Sequence, residues 1–308
     1  PYSDDVSILA EPLQVGGKTV PNRLVCQAME GCDGTAAGEP GELTVRRYER
    51  LAGGGAGLIW VEATAVLEQA RANPRQLWLR EETLDGFRAL AEHIRQTAAA
   101  AGRPEPALIL QLTHSGRYSR PNGVPAPLIA YQNPLFDRVQ PVPDGRVLSD
   151  DELDAAGEAL VKAARLAQKA GFDGADIKCC HRYLLSETLS AYRREGRYGG
   201  SLENRSRLLL DSVRGAMQVC GPGFLVTTRL NIYDGFPYPY GFGVSPAGGL
   251  EPDYTEPAAL VKTLAGTGMP LIDLSMGNPY VNPHVNRPYL KGGYDPGEHP
   301  LSAVARML

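Results

Sequence analysis

Apolar runs about one strand long alternate with stretches of helical periodicity along most of the chain. Residues 24–29 (LVCQAM) are the first buried-strand candidate, and a polar, Gly-rich loop follows to Gly41. Helical spacing then shows at Leu43, Tyr48, Leu51 and Ala52, and the run Gly53, Gly54, Gly55 stops it. Residues 57–66 (GLIWVEATAV) predict a second strand. A helix over 84–101 places Leu84, Phe87, Leu90, Ala91, Ile94 and Ala98 on one face, closed by Gly102 and Pro104. Residues 107–114 (ALILQLTH) predict the third strand. The stretch 115–147 is rich in Pro, Gly, Tyr and Asn and shows neither period, the mark of a functional lid or binding excursion. Ser149 and Glu152 make a capping box for a helix with Leu153, Ala156, Leu160, Ala164 and Ala167 on one face, which Gly171 ends. A fourth strand over 174–180, a helix over 202–219 and a fifth strand over 224–231 (FLVTTRLN) follow. After a second Pro/Gly/Tyr-rich excursion to 252, Pro257 suits the first turn of another helix. Residues 271–275 (LIDLS) are the sixth strand, a third long loop runs to Pro300, and a last helix begins at Leu301.

Six alternations of near-continuous apolar strands with helices predict a parallel sheet. Long loops come after strands rather than after helices, which favours a barrel with one elaborated face over an open doubly wound sheet. The expected fold is therefore an α/β (β/α)8 TIM barrel, one domain over 1–308, with six of its eight βα units represented. Two further units are expected beyond residue 308; closure of the barrel by some other element is the alternative.

Composition narrows the function classes. The net charge is -4, and no basic block or aromatic-basic interleaving supplies a phosphate-binding stripe, so no nucleic-acid partner is expected. No run approaches the roughly 20 apolar residues of a membrane span, and the first residues, PYSDDVSILAEPL, lack the charged and apolar regions of a signal peptide. Cys26, Cys32, Cys179, Cys180 and Cys220 have no metal-ligand spacing and read as buried thiols of a reducing, cytoplasmic protein. A small-molecule substrate is the expected partner, and homo-oligomerisation stays open.

The chemistry concentrates where the fourth strand stops. Lys178, His181 and Tyr183 end an apolar run with a cation, an imidazole and a phenol, each of which would need a buried partner inside a core. At the carboxyl end of a barrel strand they build a pocket instead.

With those residues in view, the chain resembles the old yellow enzyme, or NADH:flavin oxidoreductase, family of FMN-dependent barrels. The resemblance rests on an ordered series: PNRLV at Pro21, GGAGLIWVEATAV at Gly54, QLTHSGR at Gln111, AGFDGADIKCCHRYLLSETLS at Ala170, YGGSLENRSR at Tyr198 and RL at Arg229. It implies that Gln111 reads the flavin pyrimidine edge and that Arg229 stands near N1 and O2 of the ring. Met29 and Ala63 would pack the ring or its edge, with Ala28, Glu30 and Glu62 close by. Read without the resemblance, Gln111 and Arg229 are polar groups at strand ends that also suit a barrel interior.

The resemblance further implies that a pair of side chains holds the substrate's carbonyl or nitro oxygen and that Tyr183 is the general acid beside His181. NADH or NADPH would be the electron donor. Two positions depart from the family pattern. Lys178 stands where many relatives carry His or Tyr, and it either polarises a carbonyl, binds a carboxylate, or pairs with Glu30 or Glu62. Glu30 stands where relatives carry Thr or Cys, and a carboxylate there opposes flavin reduction unless protonated, paired or turned away.

Ser201 reads as a helix cap and Arg205 as a loop anchor. His114 and Arg117 either meet the flavin or substrate or tie down the first long loop. Tyr131, Tyr233, Tyr238, Tyr240 and Tyr280 are candidates for a substrate mouth. His93 is expected to face solvent, and His284 and His299 have no evident partner. The expected activity is FMN-dependent reduction, by NAD(P)H, of the activated C=C bond of an α,β-unsaturated carbonyl compound. The alternatives are a flavin-dependent amine dehydrogenase, a dienoyl-CoA reductase-like enzyme with an iron-sulfur cluster, or a non-catalytic barrel that does not retain FMN.

Overall fold

The computed structural model describes residues 4–139, 142 and 146–279. A short hairpin of β1 (Leu13–Val15) and β2 (Lys18–Val20) precedes β3 (Val25–Cys26), α1 (Glu42–Gly53), β4 (Leu58–Ala65), α2 (Leu84–Ala100) and β5 (Ala107–Thr113). The first long excursion holds β6 (Leu128–Ile129), α3 (Pro134–Val139) and β7 (Arg146–Val147), with β6 and β7 paired in parallel. Next come α4 (Asp150–Lys169), β8 (Gly174–Ile177), the short α5 (Leu184–Thr188), α6 (Leu202–Cys220), β9 (Leu225–Tyr233), α7 (Thr255–Gly266) and β10 (Ile272–Met276).

Six parallel strands run in the order β10-β9-β8-β5-β4-β3, the sequential order of a barrel wall. The sheet is curled. Leu58 and Trp60 of β4 share one apolar cluster with Ala107 and Ile109 of β5 and Leu225 of β9. In a flat sheet β4 and β9 would stand about 14 Å apart, three strand spacings.

Strand side chains divide by parity. In β5, Leu108, Leu110 and Leu112 join the core beneath the helices, while Ala107 and Ile109 face the concave side, as Gln111 and Thr113 do by alternation. The helices bury the faces their spacing predicts: Phe87, Leu90, Ala91, Ile94 and Ala98 in α2, and Leu153, Ala156, Leu160, Ala164 and Ala167 in α4. The capping box of α4 is formed. Glu152 N donates to Ser149 Oγ over 3.2 Å and Ser149 N donates to the Glu152 carboxylate over 2.8 Å. Ser201 caps α6 in the same manner by accepting from Asn204 N.

Several elements differ from the sequence expectation. Only Val25 and Cys26 of the first strand pair with β4, and the chain leaves the sheet before Met29. The hairpin of β1 and β2 lies beneath the amino-terminal strand ends, with Val15 and Val20 in the cluster of Leu58, Trp60, Ala107, Ile109 and Leu225. Its turn residues, Gly16 and Gly17, have φ of 52° and 81°, the conformation that suits glycine in tight hairpins. Cys179, Cys180 and Cys220 are buried, but Cys26 is only partly so and Cys32 is exposed, because the chain around Cys32 has already left the sheet. No helix among the described residues is long and apolar enough to cross a membrane. Tyr280, His284, His299 and the helix expected from Leu301 lie outside the described residues.

Candidate active site

The concave face changes character from the amino-terminal to the carboxyl ends of the strands. Above the apolar cluster lies a charged layer in adjacent register: Gln111 opposite Asp176, and Arg229 opposite Asp273. Arg229 N donates to Asp176 Oδ1 over 3.1 Å, and Arg229 Nε lies 3.2 Å from Asp273 Oδ2. Burial pushes the Asp176 carboxyl up to about 7; the Arg229 N–H opposes that rise and Asp273 adds to it. Asp273 is raised as well, again by burial, with Arg229 opposing. Gln111 lies near enough to favour the charged form of Asp176, yet its buried Nε2 makes no aligned hydrogen bond. An orphaned amide inside a protein costs about 1–3 kcal/mol.

Lys178 follows Asp176 by two residues, on the same face of the extended chain. Although β8 is assigned to end at Ile177, the ladder continues. Lys178 N donates to Leu112 O over 3.0 Å and Cys179 N to Arg229 O over 2.9 Å. The Lys178 side chain is only 4 % exposed, and its Nζ sits 3.8 Å from the centroid of the Tyr183 ring. Burial lowers its pKa; Cys180, Glu30 and Asp176 oppose the shift, and Arg229 adds to it. Among the described residues Lys178 forms no ion pair. Glu62, one expected partner, instead accepts from Gly31 N over 2.9 Å and pairs with Arg47 at 3.2 Å. Burial pushes the Glu62 carboxyl up to about 7.

Glu30, the other expected partner, acts on Lys178 through space rather than by contact. Asn73 Nδ2 donates to it over 2.9 Å, and burial raises its pKa, so this carboxyl is held toward its neutral form. Ala28 is partly buried, Ala63 is buried at the end of β4, and Met29 stands 73 % exposed beside them.

A turn carries the remaining candidates. Tyr183 N donates to Cys180 O over 3.2 Å, and between them His181 and Arg182 have φ of 62° and 60°. A left-handed backbone costs a residue with a side chain roughly 1–2 kcal/mol. Tyr183 is buried against Tyr118 and Phe236, with ring centroids 5.6 Å apart for the Tyr118 pair. The His181 ring meets the Tyr183 ring edge-on at 6.5 Å. The turn is pressed against the loop after β5: Leu184 N donates to His114 O over 3.1 Å, and a Cβ on Gly116 would fall 2.8 Å from Leu184 N. Glycine there permits that approach.

His114 is buried, accepts from Gly116 N at Nδ1 over 3.1 Å, and is pushed by burial down to about 4. Arg117 ties loops together, donating from Nε to Glu187 Oε1 over 2.7 Å and pairing with Asp137. Glu187 in turn accepts from Ala130 N over 2.8 Å. Arg205 is the anchor its position predicts, donating to Gly200 O over 2.9 Å and pairing with Glu256. Tyr131 is buried with its hydroxyl 2.8 Å from Ser190 Oγ, and Tyr233 donates to Leu250 O over 2.6 Å. The Tyr238 ring meets the Tyr192 ring at a 60° tilt with centroids 4.8 Å apart, and Tyr240 lies beneath Arg193. His93 is half-exposed and 2.6 Å from Glu49. A groove of about 620 Å³ between α4 and α6 lies outside the helical layer and holds none of the candidate residues.

Residues 8–240 match the NADH:flavin oxidoreductase / NADH oxidase family. The chain belongs to this family. Among its members, the NADPH dehydrogenase of Geobacillus sp. (strain WCH70) is 33 % identical over 276 residues, covering 88 % of this chain and 73 % of the relative. The old yellow enzyme homologue from Zymomonas mobilis superposes with a TM-score of 0.69 at 24 % identity, covering 88 % of this chain and 74 % of that one. A 2-naphthoyl-CoA reductase in complex with 2-naphthoyl-CoA gives a TM-score of 0.76 at 21 % identity, over 90 % of this chain and 41 % of that one. The six-stranded curled sheet thus shares the TIM-barrel fold of the old yellow enzymes.

The family match and the NADPH dehydrogenase relatives imply that this chain uses FMN and NAD(P)H. The residues present fit a flavin: a buried, unsatisfied Gln111 amide on β5 and the Arg229 guanidinium on β9 flank β8 on the concave face, with the small Ala63 near the exit of β4. Asp176 and Asp273 escaped the sequence reading. Counting back by two from Lys178 reaches Asp176, and the polar break in LIDLS is Asp273.

Proposed function

We propose that this protein is an FMN-dependent reductase of the activated C=C bond of α,β-unsaturated carbonyl compounds, working within a single barrel domain over 1–308. In this reading Gln111 supplies its free amide to the polar edge of the flavin ring, and Arg229 offers a cation where negative charge collects on reduction. Ala28, Met29, Glu30 and Ala63 surround the ring. When bound there, FMN would supply redox chemistry, the hydride for the β-carbon of the alkene coming ultimately from NAD(P)H.

Lys178 and His181 hold the substrate's carbonyl oxygen by N–H donation, which draws electron density from the double bond. Lys178 can donate from its amine in either protonation state. Tyr183, beside both, gives its phenolic proton to the α-carbon. The observation that carries this reading is the convergence of Lys178, His181 and Tyr183 above the layer of Gln111 and Arg229.

Tyr183→Phe tests it by separating the half-reactions. Reoxidation of the reduced enzyme by an enone should slow by about 10²-fold or more, while anaerobic bleaching by NADPH or NADH proceeds at the wild-type rate. Equal slowing of both halves would contradict the assignment of Tyr183 as proton donor.

A further inference from the structure

We infer that Arg182 is a positioning residue, and that its buried ion pair with Asp234 sets the aim of His181 and Tyr183. The inference rests on the roles proposed above for those two side chains. Arg182 is fully buried. Its Nη1 lies 2.8 Å from Asp234 Oδ2 and also donates to Ser190 Oγ, while Nη2 donates to the Tyr131 hydroxyl over 3.0 Å. Burial opposes its charge, but Tyr131, Asp234 and Glu187 outweigh that penalty and hold the guanidinium cationic.

Asp234 is itself fixed from two sides. Asn231 Nδ2 donates to its Oδ1 over 2.8 Å, and Phe242 N donates to its Oδ2 over 2.8 Å. Tyr131 comes from the loop after β5, Ser190 from the loop after β8, and Asp234 from the loop after β9. One guanidinium therefore joins all three loops. Its planar fork meets these partners in fixed directions, which a point charge would not do.

The turn explains why such a clamp is needed. Two consecutive residues with side chains hold positive φ, at 62° and 60°, and neither is glycine. Without an outside force, a chain of L-residues relaxes out of this conformation. The Arg182 fork supplies that force: its side chain is held between the three loops, and α5 starts immediately after Tyr183. A shift of about 1 Å at such a site is enough to cost on the order of 10²-fold in rate.

Three variants of the FMN-loaded enzyme test this. Arg182→Gly removes the clamp but accepts positive φ; Arg182→Met removes the clamp and keeps the backbone penalty; Arg182→Lys keeps the charge without the fork. The ring ¹⁵N shifts of His181, identified among the five histidines by their loss in His181→Asn, report the turn directly and need no turnover. The shifts should depart from wild type most in Arg182→Met, less in Arg182→Gly and least in Arg182→Lys. Enone-driven reoxidation should fall in the same order, by about 10- to 100-fold in the first two, with NADPH-driven bleaching within about twofold of wild type.

Unchanged His181 shifts and reoxidation in a folded Arg182→Gly or Arg182→Lys enzyme would overturn the inference. So would equal loss of both half-reactions, which marks a merely structural residue. Should Arg182→Met fail to fold, the other two variants decide. If the wild-type enzyme reduces no enone, the proposed substrate class is wrong, and the His181 shifts alone still decide the role of Arg182.

Discussion

Asp176 lies two residues before Lys178 on one face of the β8 chain, so a carboxyl whose hold on its proton is strengthened and an amine whose hold is weakened stand in line beneath the candidate pocket. Burial drives both shifts, because each charged form loses its water. For Asp176 the folded value, about 7, exceeds the ordinary carboxylate value. Its contribution to stability is therefore full at low pH and is lost as pH rises through the folded value. Asp176→Asn removes that dependence. The difference in Tm, variant minus wild type, should grow more positive from about pH 5 to about pH 8. A difference that stays flat would mean that Asp176 is already ionised near pH 5. Glu62 shares the sign of Asp176 and His114 opposes it below neutrality, which is why the difference curve is the measurement to make.

At this scale legibility followed local contrast. Lys178, Gln111 and Arg229 stood out because each breaks an apolar run at a strand end. Asp176 was hidden inside such a run, where a carboxylate is tolerated only by the groups the sheet brings beside it. The partnership of Arg182 with Asp234 spans 52 residues, and no local pattern signals a contact between two loops so far apart. An ion pair with Glu30 or Glu62 was one of the readings open for Lys178, but Arg47, one helix away, takes Glu62.

Among the elements, the hairpin of β1 and β2 was missed, as were the short β6, α3, β7 and α5. Strands of three residues are too short to display a period, and the only signal was the Gly16-Gly17 pair. The two glycines do different work. A Cβ on Gly16 would lie 2.7 Å from Leu225 Cδ2 and 2.9 Å from Pro270 Cβ, whereas one on Gly17 would meet nothing within 4 Å. Gly17→Ala should cost only the backbone penalty, about 1–2 kcal/mol. Gly16→Ala adds an overpacking cost of about 1–3 kcal/mol. Urea unfolding of the two variants checks the ordering; equal midpoints would mean that the hairpin lifts away freely. The longer elements were legible because amphipathic helices and buried strands repeat their signal over several turns or residue pairs. Boundaries were less so: the first strand shrank to Val25 and Cys26, the two residues that stay in register with β4 before the chain leaves the sheet.

Across the whole molecule, the concave side of the sheet is graded from apolar at the amino-terminal ends to charged at the carboxyl ends. Such a gradient places the solvation penalty of Gln111, Arg229, Asp176 and Asp273 where a cofactor can relieve it. FMN should therefore stabilise the fold as well as serve it. Free FMN at a hundred times its Kd adds about 2.7 kcal/mol by mass action. A thermal melt of the FMN-stripped protein with and without added FMN should show this as a rise in Tm. In Gln111→Leu, the rise at the same FMN concentration should be smaller, because the ring loses one hydrogen-bonding partner; an identical rise would place Gln111 away from the flavin.

The hairpin seated under β4, β5 and β9 also governs traffic. Among the described residues it packs under one end of the sheet, so under the proposed function electron donor and acceptor would come and go by the same rim. Two visitors sharing one doorway take turns. Initial rates plotted in double-reciprocal form against NAD(P)H, at several fixed alkene concentrations, should give parallel lines, and an excess of either reactant should compete with the other. Lines that intersect would mean that both reactants are bound at once and do not take turns.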